Sequence, residues 1–275
     1  DFCLSRGLGD VYKRQVSSGR FEDLRKTFDL LGDGDIRIQA ILIAFCFGGL
    51  LEALAGFGAP VAITATMILA LGVKPLKAAT TVLIANTAPV AFGAVGIPVT
   101  TAGSVGGRTA EQTADIASLI SLQVLLIAAV VPFFILFILD GMRGVKEAGP
   151  AAAVIGVSFA IAQWAAATFF AYQLTNVVAC IVSLGAGFLF LRVWKPKGVD
   201  SLRERMELPA QEEVSDLNGR RIWMALLPYA VVTAVFAVAT AWPAIFGFIQ
   251  LNIAWPLLDG TIIDADGKAM DTAFK

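Results

Sequence analysis

Residues 38–191 place only ten charged side chains in 154 positions, and no other feature constrains the fold as strongly. The flanks are the reverse, with 14 charges in residues 1–37 and 13 in residues 192–221. A water-soluble domain is about 25% charged, whereas this 275-residue chain is 16% charged and 57% hydrophobic. Its mean hydropathy is +0.75. Long apolar blocks joined by charged connectors suit lipid as solvent, where the backbone must satisfy its own hydrogen bonds. The expected fold class is all-α, a polytopic integral membrane protein.

Composition removes other classes. The chain has no histidine, which excludes Ser-His-Asp catalysis and His-ligated metals or haem. Cys3, Cys46 and Cys180 form no CxxC pair, and the last two fall in apolar runs where a buried free thiol is expected. A net charge of −1 offers no basic face to nucleic acid. Neither a Walker loop nor a GxGxxG pattern occurs. No cofactor or metal is expected.

Residues 1–15 show neither helical period nor the apolar run of a signal peptide. The string CLSRGLGDVYKRQ is similar to the translated adapter tail found in chains assembled from environmental sequencing, and is set aside. With no initiator Met and no stop signal at Lys275, the chain reads as an internal fragment. Residues 16–37 form a cytoplasmic segment, with a short surface helix ended by Gly32 and Gly34.

The membrane domain spans 38–191. It opens with two broken helices, 38–73 interrupted at Gly56-Phe57-Gly58-Ala59-Pro60 and 78–101 interrupted at Asn86-Thr87-Ala88-Pro89. Each half of the first is about 12–18 residues, short of the ~20 a span needs. It is therefore either a re-entrant hairpin or two crossings. Three further spans follow: 116–139, and two within 150–191 around a polar turn at 172–176. A linker (192–221), a transmembrane helix (222–249) and an interfacial tail (250–275) complete the chain. Seven Lys or Arg put the linker in the cytoplasm. Residues 141–149 and Lys74 then fall inside, and the Arg108 loop falls outside.

The breaks carry the chemistry. Broken backbone is tolerated only inside protein or along a wet cavity, and transporters use it to present half-helix N-termini to anions. Pro60 and Pro89 stand where a first helical residue would. Gly56 and Gly58 let the backbone bend and approach a ligand. Asn86 and Thr87 supply neutral donors and acceptors for a hydroxyl and a carboxylate. Proline kinks with packing glycines are the plainer reading of any one break; two within 30 residues favour a site. Glu52 is the lone charge of 38–73 and a proton-coupling candidate, since an intramembrane carboxylate is expensive to keep. In the hairpin reading it lies near the tip; in two crossings it lies near the outer interface. Arg108, Glu111 and Asp115 read as a solvated loop. Asp140, Arg143, Lys146 and Glu147 read as a membrane-edge cluster, and Gln163, Trp164, Tyr172 and Asn176 as ordinary helix or interface residues. Gly185 and Gly187 read as a packing face.

At the breaks the sequence resembles the lactate permease family, through AGFGAPVAIT and through NTAPVAFGA followed by GIP. The likeness extends to the run from Asp140 to Glu147 and to that from Ser158 to Gln163. One departure is Ala53-Leu54, where the family more often shows glycine. The resemblance implies proton-coupled uptake of lactate or glycolate across the bacterial inner (plasma) membrane, at a site including Gly56, Phe57, Gly58, Pro60, Asn86, Thr87 and Pro89. It also implies a longer protein, whose inverted second repeat would complete the site by analogy with elevator-type carriers. The implied partners are lactate or glycolate, a proton and the lipid bilayer, with a homo-oligomer left open. A sodium- or proton-coupled carrier of other organic anions is the close alternative, and a non-transport membrane subunit the distant one.

Overall fold

The computed structural model describes residues 20–32, 34–56, 58–205 and 218–241, which contain helices and turns and no strand. The leader 1–15, Phe57, linker residues 206–217 and residues 242–275 lie outside the described residues. One compact unit runs to Ala234; a second begins at Val235, and of it only the closing turns of the last helix are described.

Helix α1 (Arg20–Leu31) turns Leu24 and Phe28, four residues apart, into the core. It stops at Gly32, whose N–H donates to Phe28 O. Helix α2 (Ile36–Ala40) is capped by Asp35, whose carboxylate accepts from the Arg37 N–H. It continues through a π-helix (Ile41–Phe47) into α3 (Gly48–Ala55). Together they make a 20-residue helix from Ile36 to Ala55, almost wholly enclosed. At 1.5 Å per residue that is roughly 30 Å, a crossing length. The expected first limb was shorter because it began after Arg37; ion pairing lets the helix begin before that residue.

Helix α4 (Ala59–Ala70) folds back beside this limb, with Gly48 so near Thr64 that an added Cβ would sit 3.3 Å from its methyl. Its 12 residues cover only about 18 Å. The first broken segment thus pairs one limb of crossing length with one short of it.

Helix α5 (Pro75–Ala85), a 3-10 turn (Val90–Phe92) and α6 (Gly93–Val105) follow, bent by 60° at the break. Helix α7 (Ala110–Phe169) is 60 residues long but doubles back at Asp140 and Gly141, whose backbone is not helical. Gly144 lies against Leu136 and Gly156 against Ala129, and the Ser118 and Thr168 hydroxyls hydrogen-bond at 2.9 Å, so its limbs are antiparallel. Residues 141–149, expected to join two spans on the inside, are helical after that turn. Their charges therefore do not mark the end of a helix.

A 3-10 turn (Tyr172–Leu174) leads to α8 (Thr175–Val193), which packs along α7. Then come α9 (Val199–Arg205) and α10 (Gly219–Ala241). Phe45 meets Phe159 at 4.7 Å between ring centroids, and Phe47 meets Phe28 and Tyr229. Of the two expected packing glycines, Gly187 is pressed on Ile155 and Gly185 has open space. Leu119, Leu126, Phe134 and Ile161 are more than half exposed on α7. Water would penalise that surface, and hydrocarbon accepts it. The chain is an all-α, polytopic membrane protein.

Candidate functional site

The first break is a glycine device. Gly56 closes α3 at φ 61, ψ −163, a region essentially reserved for glycine. Gly58 opens α4 from the left-handed region at φ 78, and Pro60 occupies its first turn, where a missing N–H costs nothing. The hydroxyl of Thr64 donates to Pro60 O at 2.9 Å.

The second break is longer than expected. Helix α5 ends at Ala85 with Asn86 as its C-cap, and the Thr87 hydroxyl donates back to Ile84 O at 2.7 Å. Pro89 is buried and precedes only the three-residue 3-10 turn, so it does not start the next half-helix. Ala94, Val95 and Gly96 are all left-handed, at φ 45, 57 and 74, before regular helix resumes. Two consecutive non-glycine residues there are costly and persist only where surroundings hold them. Gly96-Ile97-Pro98 then repeats the local arrangement of Gly58-Ala59-Pro60, a left-handed glycine two residues before a proline in the first helical turn. Pro98 takes the role expected of Pro89, because the left-handed turn delays the helix start.

The two breaks meet. A Cβ built on Gly56 would lie 2.6 Å from Ala94 Cβ, and one on Gly93 would lie 2.8 Å from Glu52 Oε1. Glu52 stands one turn before Gly56 and is 3% exposed. The Asn86 side-chain amide and the Gly58 backbone N–H lie beside its carboxyl group, whose Oε2 has no hydrogen-bond partner. Of the residues singled out in sequence, Glu52, Gly56, Gly58 and Asn86 are therefore brought together. Thr87 is exposed, and Phe57 lies outside the described residues.

Two side chains expected to be ordinary hold the second break in place. Gln163 on α7 donates to Ala88 O at 3.3 Å and to Asn176 Oδ1 at 3.1 Å, and Asn176 on α8 donates to Pro89 O. Both are fully buried. They supply the donors that the interrupted helix lacks. The available signal was their polarity within the uncharged stretch 150–191. Tyr172 braces the half-helix after the break: its ring packs on Gly96 and its hydroxyl is 3.1 Å from Thr100 Oγ1.

Of the charges expected at the membrane edge, Asp140 and Glu147 join a separate cluster around Arg37. Arg37, fully buried, pairs with Asp35 at 2.8 Å, Asp140 at 3.0 Å and Glu147 at 2.6 Å, and Arg205 joins Asp140 at 3.0 Å. Arg143 and Lys146 are exposed. Among the described residues no group of three or more His, Cys, Asp or Glu side chains could hold a metal.

A family model described as L-lactate permease matches residues 10–266. The L-lactate permease of Bacillus subtilis (strain 168) is 35% identical over 292 residues, covering 96% of this chain and 51% of that protein. The glycolate permease GlcA of Escherichia coli (strain K12) is 44% identical over 191 residues, 70% of this chain and 33% of that protein. An L-lactate permease of the same strain is 46% identical over 186 residues, 68% of this chain and 33% of that protein. The chain thus spans about half or less of the length of these relatives. No solved structure matches it.

Proposed function

Because the chain belongs to the L-lactate permease family, we propose that it forms part of a secondary active transporter for lactate and related 2-hydroxy monocarboxylates such as glycolate, driven by protons. The family is one of permeases, not of enzymes, and the chain is a multi-pass protein of the bacterial plasma membrane. The remaining length found in the relatives supplies the rest of the carrier.

The observation that carries this reading is the meeting of the two breaks around Glu52 and Asn86. An anion crossing a bilayer needs donors that are already oriented and need no cation. The N-terminus of α4, opened by Gly58 and Pro60, offers backbone N–H groups and the positive end of a helix dipole. The Asn86 amide adds an NH2 donor group and a carbonyl acceptor, suited to a carboxylate and an adjacent hydroxyl. Gly56 lets the second break approach, and Pro89, which has no N–H, keeps the backbone open. Glu52 takes the coupled proton.

The test is lactate uptake by vesicles containing the full-length carrier, with and without an inward proton gradient. Gradient-stimulated uptake, displaced by glycolate and not by dicarboxylates, is expected. Absence of lactate uptake would overturn the substrate assignment.

A further inference from the structure

We infer that Glu52 is the internal anion of this site, its carboxyl group standing beside the donors that a substrate carboxylate needs, so that substrate enters only with a proton that neutralises it. The inference rests on the transport reading above and specifies how the proton and the substrate are linked.

Three observations carry it. Glu52 is 3% exposed, and its Oε2 is unpartnered. Beside the carboxyl group lie the Gly58 N–H, at the start of a 12-residue helix, and the Asn86 amide. These are the neutral donors assigned above to the substrate. The third is steric: Oε1 lies 2.8 Å from where a Gly93 Cβ would be, so the second break packs directly against the carboxyl group.

No cation competes for it among the described residues. The elements packed against α3 are the π-helix, α4, α5, α6 and α8. Helices α4 and α6 carry no charged side chain, and the π-helix and α8 contribute the thiols of Cys46 and Cys180. On α5 the Lys77 ammonium donates to Leu139 O at 2.8 Å, and Lys74 at its N-cap is exposed. Arg192, near the far end of α8, sits over the Phe188 ring. A second carboxylate arriving at the same neutral donors meets only like charge, and the pair becomes tolerable when it shares one proton. The balance is a proton taken up by Glu52 for each monocarboxylate anion bound, so the loaded site carries the charge of the empty one.

The sign follows. Low pH favours neutral Glu52 and tighter substrate binding. As pH rises, the apparent KM for lactate climbs, approaching about tenfold per pH unit for one linked proton. The experiment measures lactate–lactate exchange by the full-length carrier in proteoliposomes without a gradient, from acid to alkaline pH. In Glu52→Gln, exchange should persist with a KM independent of pH, while gradient-driven accumulation is lost. A KM that still climbs with pH in this variant overturns the inference.

Should Glu52→Gln fail to fold, the unaltered carrier provides the answer. Lactate added to the purified protein in weak buffer with a pH indicator should draw about one proton per lactate bound, and no proton uptake overturns the inference. Wild-type carrier that exchanges no lactate at any pH would instead sink the transport reading itself.

Discussion

Gly56 and Ala94 touch across the two breaks, with a Cβ on Gly56 falling 2.6 Å from Ala94 Cβ and 3.0 Å from Ala94 N. The contact joins two segments 38 positions apart, each entering a left-handed glycine two residues later. It needs an absent side chain on one partner and a strained backbone on the other.

Gly56→Ala is therefore expected to fail twice. The backbone at φ 61, ψ −163 costs about 1–3 kcal/mol for a residue with a Cβ, and the overpacked contact adds about 1–3 kcal/mol. Thermal unfolding in detergent should show a large drop in Tm, with transport lost. Gly107→Ala is the control, since Gly107 also has positive φ but nothing within 4 Å of an added Cβ. It should lose a little stability and keep transport. Equal losses in the two variants would remove the contact from the argument.

Gln163→Leu and Asn176→Leu test the bracing of the second break. Each leaves a buried backbone carbonyl without its side-chain donor, a penalty of about 1–3 kcal/mol. The two side chains also bond to one another at 3.1 Å, so the double variant should lose less than the sum of the singles. Calorimetric Tm values for the three proteins decide it; strict additivity would mean that the two act separately.

These residues also show what the sequence made legible. Breaks were readable at Gly56–Pro60 and near Asn86 because Gly and Pro interrupt runs that lipid requires to be continuous. Glu52 stood out as one charge in an apolar segment. The extent of the second break was hidden, because nothing local announces that Ala94 and Val95 will be left-handed; the tight approach of Gly56 and Tyr172 accompanies that conformation. Gln163 and Asn176 were hidden for a related reason. Their partners are backbone carbonyls 75 and 87 positions away, and a helix-interior amide looks the same in sequence whether or not it has such a partner. Arg37 was taken for the edge of the first span when it is buried within it, because the carboxylates of Asp140 and Glu147 come from over 100 residues downstream.

Arg37→Met should be severe. It leaves Asp35, Asp140 and Glu147 converging with their shared cation gone, and breaking a buried ion pair costs about 3–5 kcal/mol. Little monodisperse protein should be recovered on size exclusion. Arg37→Lys should rescue poorly, since one ammonium cannot reproduce the guanidinium fork that contacts three carboxylates and Lys197 O. Combining Arg37→Met with Asp35→Asn, Asp140→Asn and Glu147→Gln should restore yield by removing the uncompensated charge. Failure of that combination would mean that Arg37 acts through packing.

Orientation can be read from the protein's own thiols. Cys46 and Cys180 are buried and free, so they stay silent to a membrane-impermeant maleimide, and Cys3→Ser removes the third. On this background Ser201→Cys, exposed on α9 beside Arg203 and Arg205, reports the linker. Glu111→Cys, exposed in the first turn of α7, reports the opposite end. The excess of Lys and Arg predicts that the Ser201→Cys variant reacts only in inside-out vesicles and the Glu111→Cys variant only in intact cells. The doubling back of α7 at Asp140 and Gly141 strengthens the pairing. A return limb brings residue 169 to the same side as residue 110, and α8 then carries the chain to the side of Arg37 and Arg205. Labelling of the Ser201→Cys variant from outside would invert the whole arrangement and place the Arg37 cluster on the outer face.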